Sequence, residues 1–197
     1  MVQLLKREDL LTLEQYAARR AQFRSEIIAH KRLRQVAVGP NATLCFEDRL
    51  TMQYQVQEML RAERIFEPAG IEDELATYNP LIPDGTNWKA TLMIEYPDED
   101  ERRAALARLK DVESHVWVRV AGHKSVYAIA DEDLDRTNEE KTSSVHFLRF
   151  ELTSDMIRAA KAGTAIALGI DHDAYRHTLD PVPAAVRESL AADLQDL

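Results

Sequence analysis

The sequence predicts an α+β protein: an N-terminal antiparallel helical hairpin packed with a largely antiparallel sheet of order β-α-β-β-β-α-β, followed by a C-terminal helix. Two observations favour this class. Residues 13–34 and 50–66 have apolar side chains at helical spacing, and the alternating segments after residue 87 include a hairpin around Gly122-His123. With 197 residues, 45% of them hydrophobic, the chain is expected to form a single domain over 1–197. Within it, 1–87 would supply the hairpin and a proline-rich connection, and 88–197 the sheet portion.

The first helix is predicted to begin after Thr12 and to run to about residue 34, because Thr12 and Gln15 have the spacing of a capping box. Arg20 lies in the middle of its apolar stripe, and Arg24 lies beside that stripe. Two short strands around the turn Gly39-Pro40-Asn41 would then reverse the chain direction before the second helix.

The second helix is predicted over 50–66, a stretch without glycine or proline. Glu63 falls within its apolar stripe at 100° per residue, whereas Glu58 lies on a mixed face. A buried carboxylate needs a partner, and a guanidinium group can supply two parallel hydrogen bonds. We therefore expect the helices to pack antiparallel, with Arg20 or Arg24 hydrogen-bonded to Glu58 or Glu63.

The remaining elements follow from strand alternation and helix caps. Residues 67–87 predict a connection with at most a short helical turn. The later elements are predicted at 88–96 (strand), 98–112 (helix), 115–121, 124–130 and 145–152 (strands), 154–163 (helix), 164–170 (strand) and 183–194 (helix). The polar stretch 131–142 predicts a loop.

Composition and motifs exclude several classes of function. The single cysteine, Cys45, leaves no internal disulfide and no thiolate cluster for zinc or iron–sulfur, and we expect no cofactor. The sequence contains no GxGxxG, Walker, HExxH or GxSxG motif. No apolar run approaches the roughly 18 residues of a membrane span, and the amino terminus lacks the apolar core of a secretory signal, so we expect a cytoplasmic protein without a membrane partner.

The net charge of −9 is unevenly distributed, with an excess of basic side chains in residues 1–40 on an otherwise acidic chain. We expect these basic groups to pair with the acidic body and not with nucleic acid, because no stacking aromatic motif accompanies them.

The sequence predicts no metal site, and two histidines are only weak candidates for metal ligands. His146 shares a strand face with Leu148 and Phe150, which favours a core histidine whose hydrogen bonds are satisfied. His172 ends the last predicted strand between Asp171 and Asp173, either of which could orient its ring.

The candidate ligand site lies where the helical hairpin meets the proline-containing segment 78–85. Its residues are Arg20, Arg24, Glu58, Glu63, Tyr78 and Asn79. The arginines would neutralise a small anion, while the tyrosine and asparagine would donate hydrogen bonds. A purely structural charged seam between the helices is the alternative interpretation of the same residues.

Five segments in a fixed order identify a family resemblance over nearly the whole chain: RRAQFRSEIIAHKRLRQVAVGP, FEDRLTMQYQVQEMLRAERI, YNPLIPDGTNWKATLMIEYPDEDERR, VHFLRFEL and ALGIDHDAY. With these segments the chain resembles the bacterial domain-of-unknown-function family 3501. The resemblance implies a single-domain bacterial protein without an established activity, encoded near rubrerythrin-like and iron–sulfur oxidoreductase proteins. It favours a non-catalytic accessory or interaction protein with a redox protein as partner. A small-anion-binding protein or an enzyme that uses the Arg/Glu cluster is the alternative, and the oligomeric state is left open.

Overall fold

The computed structural model describes residues 4–132 and 141–196, in which nine strands form two antiparallel sheets. The strands are β1 (Gln35–Ala37), β2 (Ala42–Phe46), β3 (Asn87–Ile94), β4 (Val116–Val120), β5 (Val126–Tyr127), β6 (Ile129–Ala130), β7 (Val145–Glu151), β8 (Ile166–His172) and β9 (Tyr175–Leu179). The first sheet has the order β1-β2-β3-β7-β6 and the second the order β5-β4-β8-β9. The α+β class is confirmed, with the strands divided between two sheets.

The α-helices of the described residues are α1 (Leu13–Arg32), α2 (Arg49–Glu63), α3 (Pro68–Tyr78), α4 (Glu99–Arg108), α5 (Ser154–Lys161) and α6 (Ala184–Ala192). Short 3₁₀ turns lie at Arg7–Asp9, Asn79–Leu81 and Val112–His115. The predicted capping box is present, since the Thr12 side chain accepts a hydrogen bond from the backbone of Gln15 and the Gln15 side chain accepts one from the backbone of Thr12.

Helices α1 and α2 pack antiparallel, as predicted. Near the start of α1, the backbone N–H of Leu11 donates to Gln57 in the second half of α2, at 2.6 Å. Near the end of α1, the His30 ring contacts Asp48, the N-cap of α2, at 2.5 Å. Contacts at both ends therefore fix the relative direction of the two helices.

The main core lies between the two sheets and the helices α4, α5 and α6. On β3, the predicted alternation places Trp88, Ala90, Leu92 and Ile94 in this core. Trp88 also donates from its indole nitrogen to the carbonyl of Leu190 at 2.9 Å, which holds α6 against the first sheet. A second, smaller core packs α2 and α3 against the N-terminal segment, and it contains Leu5, Met52, Val56, Leu60, Leu75 and Ile82.

Three elements differ from the expectation. Helix α3 is a full helix and not a single turn, because Pro68 occupies its first turn, where a missing N–H costs nothing. The predicted strand 124–130 is divided between the sheets, with β5 paired to β4 and β6 paired to β7. Strand β9 was not predicted.

Within the ranges 4–132 and 141–196, no helix combines the length and apolarity needed to cross a bilayer. Most of the predicted polar loop, residues 133–140, lies outside the described residues.

Candidate functional site

The predicted contact between the helices is confirmed by Arg20 and Glu58. The Arg20 Nε and Nη2 atoms donate to the two oxygens of Glu58, both at 2.8 Å, and the Tyr16 hydroxyl donates to the same carboxylate at 2.6 Å. The hydrogen bonds from Arg20 are the main cause that lowers the pKa of Glu58 to about 2. Burial raises the pKa of Tyr16 above its usual range, and the hydrogen bond to Glu58 adds to the effect.

Among the other predicted ligand-site residues, Arg24 lines the same cavity as Arg20, whereas Glu63, Tyr78 and Asn79 do not. Arg24 and Glu63 are exposed, so the expectation that Glu63 lies on the buried face was wrong. Glu63 is the last residue of α2, which ends as Arg64 adopts a left-handed conformation, with φ of 57°. Asn79 uses its side-chain amide to bind both backbone groups of Leu5, at 2.8 and 2.9 Å.

Tyr78 lines a cavity of about 640 Å³ between the C-terminal end of α3 and the first sheet. Arg20 and Arg24 line a different, shallower cavity, so the structure does not place the six predicted residues in one site. The lining of the Tyr78 cavity is mostly apolar, with four charged side chains. It consists of Glu47, Ala76, Thr77, Tyr78, Pro80, Leu81, Lys89, Ala90, Glu132, Phe147, Leu148 and Arg149.

Glu47 is the buried carboxylate of this cavity, with only 8% of the residue exposed. It follows β2 directly, and its Oε1 accepts a hydrogen bond from the Thr91 hydroxyl at 2.8 Å. Its Oε2 accepts one from the Thr51 hydroxyl at 2.7 Å. Both donors are neutral, so these hydrogen bonds solvate the carboxylate without cancelling its charge.

The cationic groups of the cavity are engaged with the protein. Lys89 donates from Nζ to the carbonyls of Pro80 and Ile82, at 2.6 and 3.0 Å, and burial lowers the pKa of its amine. Arg149 makes a bidentate pair with Glu132, at 2.8 and 2.7 Å. That pair is the main cause that raises the pKa of Arg149 and lowers the pKa of Glu132.

A second polar cluster lies on the core side of β7 around His146, which is fully buried. Its Nδ1 lies 2.5 Å from Oδ2 of Asp131, whose Oδ1 accepts a hydrogen bond from the backbone N–H of Phe147 at 2.9 Å. Its Nε2 lies 3.0 Å from Oγ1 of Thr142 and 3.7 Å from Oε2 of Glu113.

Among the described residues, Glu113, Asp131 and His146 each offer a ligand atom, and these atoms lie within 4.8 Å of one another. His172 does not join them. Its Nε2 donates to the carbonyl of Lys110 at 2.9 Å, and its Nδ1 accepts from the backbone of Ala174 at 3.1 Å. Both ring nitrogens of His172 are therefore occupied, and this histidine serves to hold the end of β8.

The sequence analysis did not single out Glu47, Lys89, Glu113, Asp131 or Thr142. Glu47 carried a usable signal, because an acidic residue directly after an apolar strand and before a helix must lie close to both. The other four belong to separate segments, which only the tertiary fold brings together.

The fold and these two clusters define a two-sheet α+β protein with a partly enclosed apolar cavity and a separate buried histidine–carboxylate cluster. Residues 4–194 match the family described as "Protein of unknown function (DUF3501)", and the chain belongs to that family. The resemblance noted in the sequence is thus confirmed.

One solved structure that is similar to this chain is a crystal structure described as a novel protein of unknown function from Burkholderia pseudomallei. It shares 50% sequence identity with a TM-score of 0.93, and the match covers 98% of this chain and 100% of that one. The comparison with curated proteins finds no match.

Proposed function

We propose that this protein binds a small organic amine with an apolar body in the cavity lined by Glu47 and Tyr78. The observation that carries the proposal is the Glu47 carboxylate, which is buried at an apolar cavity and hydrogen-bonded to two neutral hydroxyls. A buried charge is costly unless it is compensated, and an ammonium group would compensate it by charge and by hydrogen bonding.

The remaining lining fits the body of such a ligand. Cavities of about 300–1,000 Å³ that are mostly apolar, with a few convergent polar groups, are typical of small-molecule sites. Tyr78 and Phe147 supply aromatic rings at this cavity, and aromatic faces attract organic cations. Lys89 and Arg149 already interact with backbone carbonyls and carboxylates, so an amine is favoured over the small anion considered from the sequence.

We propose an accessory role, in which the protein binds the amine without transforming it. The polar groups around the cavity are held by hydrogen bonds that stabilise the fold, such as those of Lys89 to Pro80 and Ile82. The association with rubrerythrin-like and iron–sulfur oxidoreductase proteins that the resemblance implies supports a redox system as the setting. Direct binding of purified rubrerythrin-like protein, measured by biolayer interferometry, would check this setting.

A thermal-shift series with three matched probes tests the ligand class. The probes are 2-phenylethylamine, 2-phenylethanol and 3-phenylpropanoate, which share the aromatic body and differ in the polar group. We expect the amine to raise the melting temperature most, because of the three probes only its ammonium group can compensate the charge of Glu47. A ligand present at about 100 times its Kd stabilises the folded state by about 2.7 kcal/mol.

The variant Glu47→Gln keeps the size of the side chain and removes its charge, so the amine response should disappear. Glu63→Gln is the matched control, since Glu63 is exposed and outside the cavity, and it should respond as the wild type does. A stronger response to the carboxylate than to the amine, or an unchanged amine response in Glu47→Gln, would contradict the proposal.

A further inference from the structure

We propose that Glu113 and His146 ligate a divalent transition-metal ion together with the hydroxyl of Thr142, and that Asp131 is the positioning residue of this site. The proposed ion site is separate from the amine cavity and does not depend on the function proposed for that cavity. It lies on the core side of β7, where His146 is fully buried.

The three ligand atoms have the spacing of one face of a coordination polyhedron. Nε2 of His146 lies 3.0 Å from Oγ1 of Thr142 and 3.7 Å from Oε2 of Glu113, and the two oxygens lie 3.4 Å apart. Ligands about 2.1 Å from one ion are separated by about 3.0 Å at octahedral angles and about 3.4 Å at tetrahedral angles. An ion can therefore contact all three atoms with little movement of the side chains.

Asp131 orients the imidazole ring for this role. Its Oδ2 lies 2.5 Å from Nδ1 of His146 and its Oδ1 is fixed by the backbone of Phe147, so Nδ1 donates a hydrogen to this carboxylate. The other nitrogen, Nε2, faces the side-chain oxygens of Glu113 and Thr142 and the backbone carbonyl of Ser143, which lies 3.1 Å away. An ion would take the place of any hydrogen that Nε2 donates to these oxygens. A carboxylate that accepts a hydrogen bond from one ring nitrogen while the other binds the metal is the usual arrangement of metal-ligating histidines.

Ligand type indicates the class of ion. A carboxylate oxygen and an imidazole nitrogen are both ligands of divalent transition-metal ions. One nitrogen ligand with oxygen ligands suits Mn²⁺, Fe²⁺ or Zn²⁺, whereas Mg²⁺ and Ca²⁺ prefer oxygen ligands alone. The same geometry would also hold an imidazolium ion between two carboxylates, so the experiment must separate a bound metal from a bound proton.

Isothermal titration calorimetry of the chelator-treated full-length protein with Mn²⁺ or Zn²⁺ provides the test. We expect one ion to bind per chain, and we expect Glu113→Gln to weaken binding at least 100-fold. Asp131→Asn should weaken it by 10- to 100-fold, the range observed when the outer partner of a metal-ligating histidine is changed. His172→Gln is the control, because His172 lies outside the cluster, and it should bind as the wild type does.

Pulsed electron paramagnetic resonance of the Mn²⁺-loaded wild type gives a readout that a merely structural role would not produce. An imidazole nitrogen coupled to the bound ion confirms His146 as a ligand, and Asp131→Asn should change that coupling while one ion per chain is retained. Circular dichroism checks that each variant is folded, and if a variant does not fold the wild-type titration and nitrogen coupling decide alone. Absence of stoichiometric binding to the wild type, an ion without nitrogen coupling, or unchanged affinity in folded Glu113→Gln would overturn the proposal.

Discussion

Glu58 accepts hydrogen bonds from both Arg20 and Tyr16, so two side chains of α1 depend on one carboxylate of α2. The sequence indicated this contact because Arg20 interrupts an apolar stripe. It named Glu58 and Glu63 as alternative carboxylates and did not decide between them, since Glu63 appeared to continue the stripe of α2. Helical periodicity assigns a face to each residue but does not say where the helix ends, and the end of α2 at Glu63 leaves that side chain exposed.

Glu58 should make the stability of the protein depend on pH. Its pKa is about 2 in the folded protein, below the ordinary value of 4.5, so its contribution is fully present above about pH 4.5 and is lost as the pH falls towards 2. The substitution Glu58→Gln should therefore lower the free energy of unfolding more at pH 6 than at pH 2.5. The two losses should differ by about 1–2 kcal/mol, a value reduced for partial exposure of the pair.

Urea denaturation at the two pH values measures this difference, with Glu63→Gln as the exposed control. A difference between wild type and Glu58→Gln that stays constant from pH 6 to pH 2.5 would show that Arg20 does not stabilise the ionised form.

The β1–β2 turn is an element whose position depends on the second sheet. The hydroxyl of Tyr175, on β9, donates to the carbonyl of Val38 at 2.8 Å and accepts from the backbone N–H of Asn41 at 2.9 Å. Gly39 in the same turn has a φ of +79°, and an added Cβ atom would lie 2.5 Å from the His177 ring. Position 39 therefore strongly favours glycine, for both conformational and steric reasons.

We expect Gly39→Ala to destabilise the protein by about 2 kcal/mol or more, through the left-handed conformation and through overlap with His177 and Tyr175. Gly122→Ala is the matched control, because Gly122 has a similar φ of +85° but open space around the position of a Cβ atom. Its cost should be about 1 kcal/mol from conformation alone. Equal losses in chemical denaturation for the two variants would show that the contact with β9 contributes nothing.

Elements with strong local signals were predictable, and elements that depend on tertiary context were not. Thr12 marks the start of α1, and the alternation of β3 marks its buried face. Strand β9 carries exposed Arg176 and Thr178 and lacks a continuous apolar pattern, so its pairing with β8 determines its structure. Helix α3 was obscured by Pro68, which ends helices at most positions but not at their first turn.

At the scale of the whole molecule, the single-domain organisation stays a prediction, and contacts across the chain support it. Strands β1 and β2 come from the first 87 residues, yet they lie in the same sheet as β3 and β7. Arg34 at the end of α1 is fully buried, and its guanidinium group donates to Asp193 beyond α6 at 2.5 Å. The two portions of the sequence thus share a sheet and a buried ion pair.

Thermal unfolding should accordingly occur in one cooperative transition. Differential scanning calorimetry is the measurement, and the calorimetric enthalpy should equal the van't Hoff enthalpy. Two resolved transitions, or a calorimetric enthalpy well above the van't Hoff value, would indicate that the helical hairpin unfolds separately from the sheets.

Neither cluster of the candidate site could be assembled from the sequence, because both depend on strand register. Lys89 lies opposite Arg149, and Leu92 opposite His146, in the antiparallel pairing of β3 with β7. A shift of one residue would exchange the cavity face for the core face, and no local pattern determines that shift. Tyr78 lines the cavity, and its role at a ligand site stays a prediction. Its expected neighbours, Arg20 and Arg24, line another one.

The backbone of β7 joins the two clusters directly, since His146 belongs to the proposed ion site and the next residue, Phe147, lines the cavity. Asp131 donates from its backbone N–H to the carbonyl of Phe147 at 2.9 Å and accepts from the N–H of Phe147 through its side chain. We therefore expect an ion bound to His146 at the proposed site to affect the cavity wall through Asp131 and this pair of hydrogen bonds. Thermodynamic reciprocity then requires that an amine which tightens ion binding is itself bound more tightly by the ion-loaded protein, by the same factor.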